Sequence, residues 1–381
     1  WSSDVCSSDL CDCGGRRAGS ASEESALDLV HARLLAIAPS ARAEATAYAG
    51  WRALETSLTL DDGTPLACNA LLGAAATSAQ GLSAEVVDLG RGAEEDFARH
   101  AADIAGRIAL VRHEYPFSAT HIHHRRKLAW AKERGAAGFI IAHPERNAGV
   151  LAGSSGRGGG AGIPAVSTDF ESAARLAPRN GRRTRVLLKL AGEDYAARTR
   201  ALVLDLPGRT PQRIALSAHV DGHDLAESAM DNATGVAVAL AVARAFAPTI
   251  AACRRGLTVC FFSAEEWALA GSREYLERMD AQARAAIALN INLDTVGGDS
   301  ELTALTSEFP RLAPFVADTA TAAGIKLKTY APMMANSDHY NFARHGIPAL
   351  RLVAGFDNPQ SNIRHILARS EEHTSELQAR F

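Results

Sequence analysis

The sequence predicts an α/β protein with a mainly parallel central sheet, helices on both faces of that sheet, and a smaller β-rich inserted domain. From residue 200 onward, apolar strand-like segments alternate with helical segments, which is typical of a parallel sheet covered by helices. The segment 58–190 has a different pattern of short strands, one helix and a glycine-rich stretch. The length of 381 residues suits one large domain and one smaller domain.

Residues 11–57 are predicted to form the helical beginning of the large domain, because apolar residues recur at helical spacing over residues 22–37. Within the inserted segment 58–190, GRIALVR, GFIIAH and GIPAVS predict strands, and RRKLAWAKERG predicts a helix. The glycine-rich stretch 153–162 lacks the P-loop lysine and opens no helix, so we interpret it as a linker.

Residues 191–368 are predicted to supply the central sheet. Their strand-like segments are almost continuously apolar, as expected of strands buried on both faces. The predicted strands are ALVLDL, RIALSAHV, LTVCFFSA, AIALNINLD and IPALRLVAG, and the predicted helices are GVAVALAVARAFA, SREYLERM and RLAPFVADTATAAG.

The two ends of the chain are related through their DNA. One choice of codons for residues 369–378 encodes, on the complementary strand and one base out of phase, residues Trp1–Leu10. The shared segment resembles a common sequencing-library adapter. We therefore expect residues 1–10, and most of 369–381, to be adapter-derived, and we expect the native ends, with any signal peptide, to be missing.

Composition excludes several classes of protein. A net charge of -3 gives no reason to expect a nucleic acid or an anionic membrane as partner. No apolar run reaches the ~20 residues that a membrane-spanning helix needs. Six cysteines without a CxxC pair are too few for a disulfide scaffold and do not suggest a structural zinc knuckle. A soluble enzyme or a binding protein remains.

Residues of the metal-binding type follow three predicted strands. In open α/β sheets the functional crevice lies at the carboxyl ends of the strands, so side chains from these positions can converge. A further acid, Asp231, precedes the helix GVAVALAVARAF. The residues at the strand ends are His219 and Asp221, Glu265 and Glu266, and Asp294.

Each of these residues also has a purely structural interpretation. Asp231 could cap its helix, the two glutamates could face a helix dipole, and His219 could be an ordinary buried histidine. Together, however, five acids and a histidine would repel one another and lose solvation unless a cation joined them. Imidazole and carboxylates at an open site favour zinc over manganese or cobalt, and several carboxylates favour two ions.

The segments SAHVDGHDLAESAMDNATG, FFSAEEWALAGS, NINLDTVGG and NSDHYNFARHGIPAL resemble the motif series of the co-catalytic zinc aminopeptidases. That superfamily also contains glutamate carboxypeptidase II and the transferrin receptor. The resemblance covers about residues 200–368. The region of about residues 60–190 resembles a protease-associated domain, which this family often carries between its first helix and its catalytic sheet.

The resemblance implies a role for each matched residue. Glu265 would be the general base, and Asp221 would hydrogen-bond the imidazole of His219 and fix its tautomer. Asp231 would bridge the two ions. Apart from the resemblance, we expect Asp338, the neighbour of His339, to lie on the substrate side. The metal ligands implied are His219 and Asp294 for one ion, Glu266 for the other, Asp231 for both, and His365 or His339 as the last ligand.

We therefore expect a dinuclear zinc exopeptidase that acts on peptides as an aminopeptidase, in the periplasm or outside a bacterial cell. The alternatives are a carboxypeptidase, a glutaminyl cyclase with one zinc ion, and a non-catalytic receptor-like protein. The sequence predicts nothing about oligomeric state. The inserted segment also contains His121, His123 and His124, which we interpret as a solvated loop or a helix start, and His223 is expected at the edge of the site.

Overall fold

The computed structural model describes residues 7–156, 162–178 and 183–366. The glycine-rich stretch lies partly outside these residues, and the predicted adapter segment 369–381 lies wholly outside them. No helix in the described part of the chain is both long and apolar enough to span a membrane. The described residues divide into two compact units, with residues 7–48 and 197–366 in unit 1 and residues 49–196 in unit 2.

The helices and strands are numbered in chain order. The strands are β1 Arg42–Leu60, β2 Pro65–Leu66, β3 Cys68–Ala70, β4 Leu82–Asp88, β5 Ile108–Arg112, β6 Gly138–Ala142, β7 Ala165–Thr168, β8 Arg185–Leu206, β9 Arg213–His219, β10 Gly256–Phe262, β11 Ile287–Leu293, β12 Leu302–Leu305, β13 Leu327–Tyr330 and β14 Ala349–Ala354. The helices are α1 Ser7–Cys11, α2 Ala21–Ile37, α3 Glu94–Arg99, α4 Ala101–Ile104, α5 His124–Glu133, α6 Phe170–Leu176, α7 Thr234–Phe246, α8 Ala270–Arg278, α9 Ala281–Ala285, α10 Leu312–Ala322 and α11 His339–Arg344.

The sheet of unit 1 has the strand order β13-β12-β14-β11-β9-β10-β8. Four of its pairs are parallel, namely β13 with β12, β14 with β11, β11 with β9 and β9 with β10. The pairs β12 with β14 and β10 with β8 are antiparallel. The prediction of a mainly parallel sheet is confirmed, and β9 lies at its centre between β10 and β11.

Helices cover both faces of this sheet. Successive side chains of a strand point to opposite faces, so each apolar strand contributes to a core on either side. Leu202 and Leu204 of β8 enter one core with residues of α2 and α7. Ala201 and Val203 of the same strand enter a second core with residues of α8 and α11. The central strands are therefore buried on both faces, as their continuous apolar sequence predicts.

The beginning of unit 1 is held against this core. Ser20 caps α2, since its Oγ accepts a hydrogen bond from the Glu23 amide at 3.1 Å. Leu10 is fully buried in the core that α2 and α7 share. Residues 1–10 are predicted to be adapter-derived, but an apolar side chain beside an apolar core is buried whatever its origin. The adapter origin of this segment stays a prediction.

Unit 2 contains a parallel sheet β4-β5-β6-β7 with an antiparallel strand at each end, β8 beside β4 and β3 beside β7. The predicted strands and the helix α5 all occur. The unit spans residues 49–196, whereas the sequence analysis drew its limits at 58 and 190. The limits fall inside β1 and β8, which run on through them without a turn that the sequence could reveal.

The histidines near residue 121 form a cluster of rings in unit 2, in which His124 is buried and His121 and His123 are partly exposed. His123 caps α5, with its Nδ1 accepting from the Arg125 amide at 3.2 Å, which confirms the predicted helix start. The ring of His124 is 4.2 Å from that of His123 and donates from Nε2 to the Ser154 carbonyl at 2.7 Å. His124 is only 8% exposed, so the expectation of a solvated segment is wrong there.

Burial holds these histidines neutral. It lowers the pKa of His121 to about 4, where Glu114 opposes the shift and Lys127 adds to it. It lowers the pKa of His124 to about 3, with the charge of Arg125 acting in the same direction. Protonation of either ring would place a charge beside existing cations in an enclosed space.

Acidification should therefore destabilise the chain through these rings. Their folded pKa values lie below the ordinary 6.5, so the unfolded chain binds protons first. The stability they contribute is complete above about pH 6.5 and falls with pH, by about 2 kcal/mol per ring at pH 5. Urea unfolding of the whole chain at pH 7.5 and 5 should show this loss.

The paired change His121→Gln with His124→Gln should flatten the pH dependence. His345→Gln, which alters an exposed histidine of unit 1, should leave the dependence as in the wild type. An equal slope in all three proteins would contradict the assignment of the effect to the histidine cluster.

Candidate metal centre

His219 stands at the centre of the carboxyl edge of the sheet in unit 1. It is the last residue of β9 and lies in register with Phe262, the last residue of β10. Because β9, β10 and β11 are parallel, the residues that follow β10 and β11 emerge beside His219. The fold thus brings together the strand ends that the sequence analysis selected.

Carboxylates surround the imidazole of His219. Its Nε2 lies 3.0 Å from Asp231 Oδ1 and 3.6 Å from Asp294 Oδ1. Glu265 joins the group, since one ligand atom each of His219, Glu265 and Asp294 lie within 4.8 Å of one another. His219 is 1% exposed and Asp294 is 2% exposed, so water screens these charges little.

The tautomer of His219 follows from its other nitrogen. Nδ1 lies 2.9 Å from the main-chain carbonyl of Asp221, and because a carbonyl can only accept, Nδ1 carries the proton. In the neutral ring, Nε2 then presents a lone pair toward the oxygen of Asp231. Both atoms are buried without a hydrogen-bond partner. At a separation of 3.0 Å, either a proton on Nε2 or a metal ion must lie between these two atoms, and nitrogen with carboxylate oxygen is a donor set that zinc accepts.

Asp221 organises the site in a way that differs from the expectation. The carboxylate was expected to bond the imidazole, but its Oδ1 is 3.6 Å from Nδ1 and the main-chain carbonyl makes the hydrogen bond. The carboxylate accepts instead from the amides of Glu265 at 3.1 Å and Glu266 at 3.2 Å. Asp221 therefore fixes the ring of His219 and the glutamate pair at the same time.

Asp231 does not cap the following helix. Asn232 Oδ1 accepts from the Gly235 amide in the first turn of α7 at 3.0 Å and from the Thr295 amide at 3.2 Å. Its Nδ2 donates to the Leu293 carbonyl at 2.9 Å. Asn232 thus performs the capping role and ties the turn to the end of β11, which leaves the carboxylate of Asp231 directed at His219.

The glutamate pair lies in a tight turn after β10. Ala264 has a φ of 56°, in the left-handed region that alanine seldom adopts, and a Cβ on Gly271 would lie 2.0 Å from the Ser263 carbonyl. Ser263 Oγ donates to the carboxylate of Glu23, which Thr199 Oγ1 also bonds at 2.5 Å. The first turn of α2 therefore supports the segment that carries Glu265.

The electrostatics of the site are those of crowded, buried acid. Burial and, after it, the charge of Asp231 raise the pKa of Glu266 to about 8. Burial also raises the pKa of Glu265 well above its ordinary range, against the opposing effect of His219. For His219, burial lowers the pKa, but the carboxylates outweigh it and the pKa stands well above 6.5.

Arg351, which the sequence analysis missed, holds Asp294. Its Nη2 lies 3.1 Å from Asp294 Oδ2, and its Nη1 donates to the Asn336 carbonyl at 3.0 Å. Although burial opposes the shift, Arg351 keeps the pKa of Asp294 well below its ordinary range, and Oδ1 is left facing His219. The signal was available in IPALRLVAG, since a charge inside an apolar buried strand requires a partner.

The remaining candidates lie at two places. Asp338 and His339, at the start of α11, are both fully buried. Burial raises the pKa of Asp338 to about 7, and burial with the charge of Arg351 lowers that of His339 to about 3. His365 ends a short turn, Asn362–His365, and the next carbonyl, of Ile366, accepts from His223 Nε2 at 2.9 Å.

Comparison with protein families gives two matches. Residues 201–381 match the model of peptidase family M28, and residues 73–176 match the model of the PA domain. The first match contains every residue assigned to the site from the sequence. The second lies within the inserted unit.

Individual relatives are aminopeptidases by name. Aminopeptidase YwaD of Bacillus subtilis is 24% identical over 332 residues, which cover 83% of this chain and 70% of YwaD. A probable lipoprotein aminopeptidase of Mycobacterium tuberculosis, LpqL, is 30% identical over 194 residues, 50% of this chain and 36% of LpqL. The solved structure of BSAP, a zinc aminopeptidase from Bacillus subtilis, superposes with a TM-score of 0.72 at 23% identity, covering 98% of this chain and 92% of BSAP. That likeness confirms the predicted fold.

Proposed function

We propose that this chain, whose residues 201–381 match the model of peptidase family M28, is a metal-dependent aminopeptidase that removes N-terminal residues from peptides with two zinc ions. The observation that carries the proposal is the buried Nε2 of His219, which lies 3.0 Å and 3.6 Å from carboxylate oxygens of Asp231 and Asp294. That arrangement is unfavourable without a cation and fits a zinc site.

The ligands divide as their positions suggest. His219 and Asp294 would hold one ion, and Glu266 would hold the other. Asp231 would bridge the two ions, because its Oδ1 lies 3.0 Å from His219 Nε2 and its charge raises the pKa of Glu266. Arg351 neutralises the outer oxygen of Asp294 and so directs the inner oxygen to the ion. When bound, two zinc ions lower the pKa of the attacking water and polarise the scissile carbonyl.

Glu265 is the general base of this proposal. One of its carboxylate oxygens lies within 4.8 Å of a ligand atom of His219 and of Asp294, so it can reach a water molecule held beside them. It would accept the proton of the attacking water and deliver it to the leaving amine. The amides of Glu265 and Glu266, both held by Asp221, keep the base and the neighbouring ligand in fixed relation.

His365 is proposed as the last ligand, with Asp338 and His339 on the substrate side. His339 lies beside Arg351, whose positive charge acts on its ring and would oppose a metal ion there. The turn of His365 is joined to the segment after β9 through His223 and Ile366, so that histidine can approach from outside the crevice. His339 is the alternative ligand.

Two further features are part of the proposal. The probable lipoprotein LpqL supports a location outside the cytoplasm for this chain as well. The receptor-like alternative is disfavoured because a non-catalytic protein has no need of a complete set of buried acids around His219. A glutaminyl cyclase would be indicated by a single zinc ion per chain.

Removal of metal should abolish peptidase activity. Dialysis against a chelator is expected to stop hydrolysis of aminoacyl anilides, and two equivalents of Zn²⁺ should restore it. The reason is that carboxylates alone cannot polarise the substrate carbonyl or activate the attacking water. Activity assays with elemental analysis test this. Full activity after complete metal removal would reject the proposal, and restoration by one equivalent would reject only the count of two.

The two adjacent glutamates should respond differently to loss of charge. Glu265→Gln should retain zinc but lose the proton acceptor, with a loss of at least ~10²–10⁴-fold in kcat. Glu266→Gln should lose zinc affinity instead. Zinc content and kcat, measured on both variants, distinguish the roles, and the reverse behaviour would exchange them.

The last ligand can be identified by zinc titration of the metal-free variants His365→Ala and His339→Ala. Loss of a ligand should remove the second binding event, whereas loss of a substrate contact should raise KM and leave zinc uptake intact. We expect the first result for His365→Ala and the second for His339→Ala. Loss of the second ion in His339→Ala alone would assign the ligand to His339.

A further inference from the structure

The loop that joins the ligands His219 and Asp231 is closed by an arginine from the N-terminal segment. We propose that this residue, Arg16, is a positioning residue of the metal centre, which holds His219 and Asp231 at the separation that one metal ion requires. The inference rests on the proposed function, because it concerns the ligands assigned there.

The guanidinium of Arg16 bonds both ends of this loop, residues 220–228. Its Nε donates to the Val220 carbonyl at 2.9 Å, directly after His219. Its Nη2 donates to the Ser228 carbonyl at 2.6 Å, three residues before Asp231, and its Nη1 donates to the Glu227 carbonyl at 2.7 Å. One rigid planar group therefore sets the distance between the points where the chain leaves one ligand and approaches the other.

The same guanidinium is anchored on the N-terminal side. Nη1 also lies 3.3 Å from the carbonyls of Leu10 and Gly14. Arg16 is 1% exposed, so these hydrogen bonds form without competition from water. A buried guanidinium bonded to carbonyls at both ends of a loop is more than a surface contact, because any shift of the loop would leave a buried charge poorly solvated.

The surrounding backbone is packed to match. The Arg16 carbonyl accepts from the Gly222 amide at 3.1 Å, so the contact runs in both directions. A Cβ on Gly15 would lie 2.1 Å from the His223 carbonyl, and a Cβ on Gly222 would lie 2.3 Å from Ser228 Oγ. Only glycine fits at these two positions, which shows how closely residues 15–16 approach the loop.

The consequence for metal binding is geometric. His219 Nε2 and Asp231 Oδ1 lie 3.0 Å apart, and zinc bonds to nitrogen and carboxylate oxygen are each about 2.0–2.2 Å long. Both ligands can reach one ion only while their separation stays below about 4 Å. Asp231 sits on a turn that Asn232 holds at its far side, so Arg16 supplies the restraint on the near side.

An arginine suits this position better than a lysine. The Nε and Nη2 groups of a guanidinium diverge in one plane and reach two carbonyls at once, which a single ammonium group does not reproduce. Arg16→Lys therefore keeps the buried positive charge but loses the fork. This separates positioning of the loop from simple neutralisation of nearby acids.

The test is a zinc titration of the metal-free full chain in competition with a fluorescent chelator. Wild type, Arg16→Lys and Arg16→Met are compared at a temperature well below the melting temperature of each. Both variants should bind Zn²⁺ about 10–100-fold more weakly, the loss typical of residues that orient ligands. Because the readout is affinity in the folded metal-free protein, a uniform loss of stability would not produce it.

Arg284→Lys is the matched control. Arg284 of α9 also donates to main-chain carbonyls, those of Leu276 and Met279, but neither belongs to a loop that carries a ligand. This variant should bind zinc as the wild type does.

The possible results separate the inference from the proposed function. Wild-type zinc affinity in both Arg16 variants, or an equal loss in Arg284→Lys, would overturn the role of Arg16 alone. A wild-type chain that takes up no zinc would overturn the proposed function and this inference with it. Failure of both Arg16 variants to fold without metal would also contradict the inference, since the fold and not the loop would then depend on Arg16.

Discussion

Mutual repulsion among buried carboxylates around His219 is the constraint on which the rest of unit 1 depends. Asp231, Asp294 and Glu265 stand within a few ångströms of one imidazole, and the two ring contacts of Nε2 are 3.0 and 3.6 Å. Without a cation the arrangement raises the pKa of His219 and of Glu265 together, which is the mark of a site that lacks positive charge. The stability of the carboxyl edge of the sheet should therefore depend on metal, because a bound cation would remove the repulsion that folding creates.

Repulsion among buried carboxylates persists only where the surrounding structure prevents their side chains from moving apart. Here the restraints come from side chains that bond the main chain: Asp221 holds the amides of the glutamate pair, and Asn232 holds the turn of Asp231. Two buried arginines add further restraints: Arg351 of β14 pairs with Asp294, and Arg16 of the N-terminal segment bonds the Val220 carbonyl. Each restraint joins segments far apart in sequence, so the site is a property of the folded unit and not of any single motif.

In unit 2 the sequence pattern predicts the secondary structure well but the burial of the histidines poorly. Its sheet and helix α5 follow from apolar segments that behave as their patterns predict, yet its histidines do not lie in water as the polar sequence HIHHRRK indicates. The rings pack against one another and against the Ser154 carbonyl because the start of α5 turns them inward. Local polarity is a poor guide to burial where several long or aromatic side chains can shield one another.

The sequence by itself determined the α/β class, the strands of unit 1 and the acids at their ends, since buried parallel strands are continuously apolar and the carboxyl ends of such strands share one edge. It also identified His219, Asp231, Glu265 and Asp294 as a group, because three of them lie at strand ends and Asp231 precedes the helix that follows β9. Only the tertiary structure decided which atom of Asp221 meets the imidazole, that Asn232 and not Asp231 bonds the helix, that Arg351 pairs with Asp294, and that Arg16 bonds the loop after His219. The Asp221 carboxylate meets the Glu265 amide across 44 residues of chain, and Arg16 meets the Ser228 carbonyl across 212 residues. Such contacts are set by packing and leave no periodic trace in the sequence.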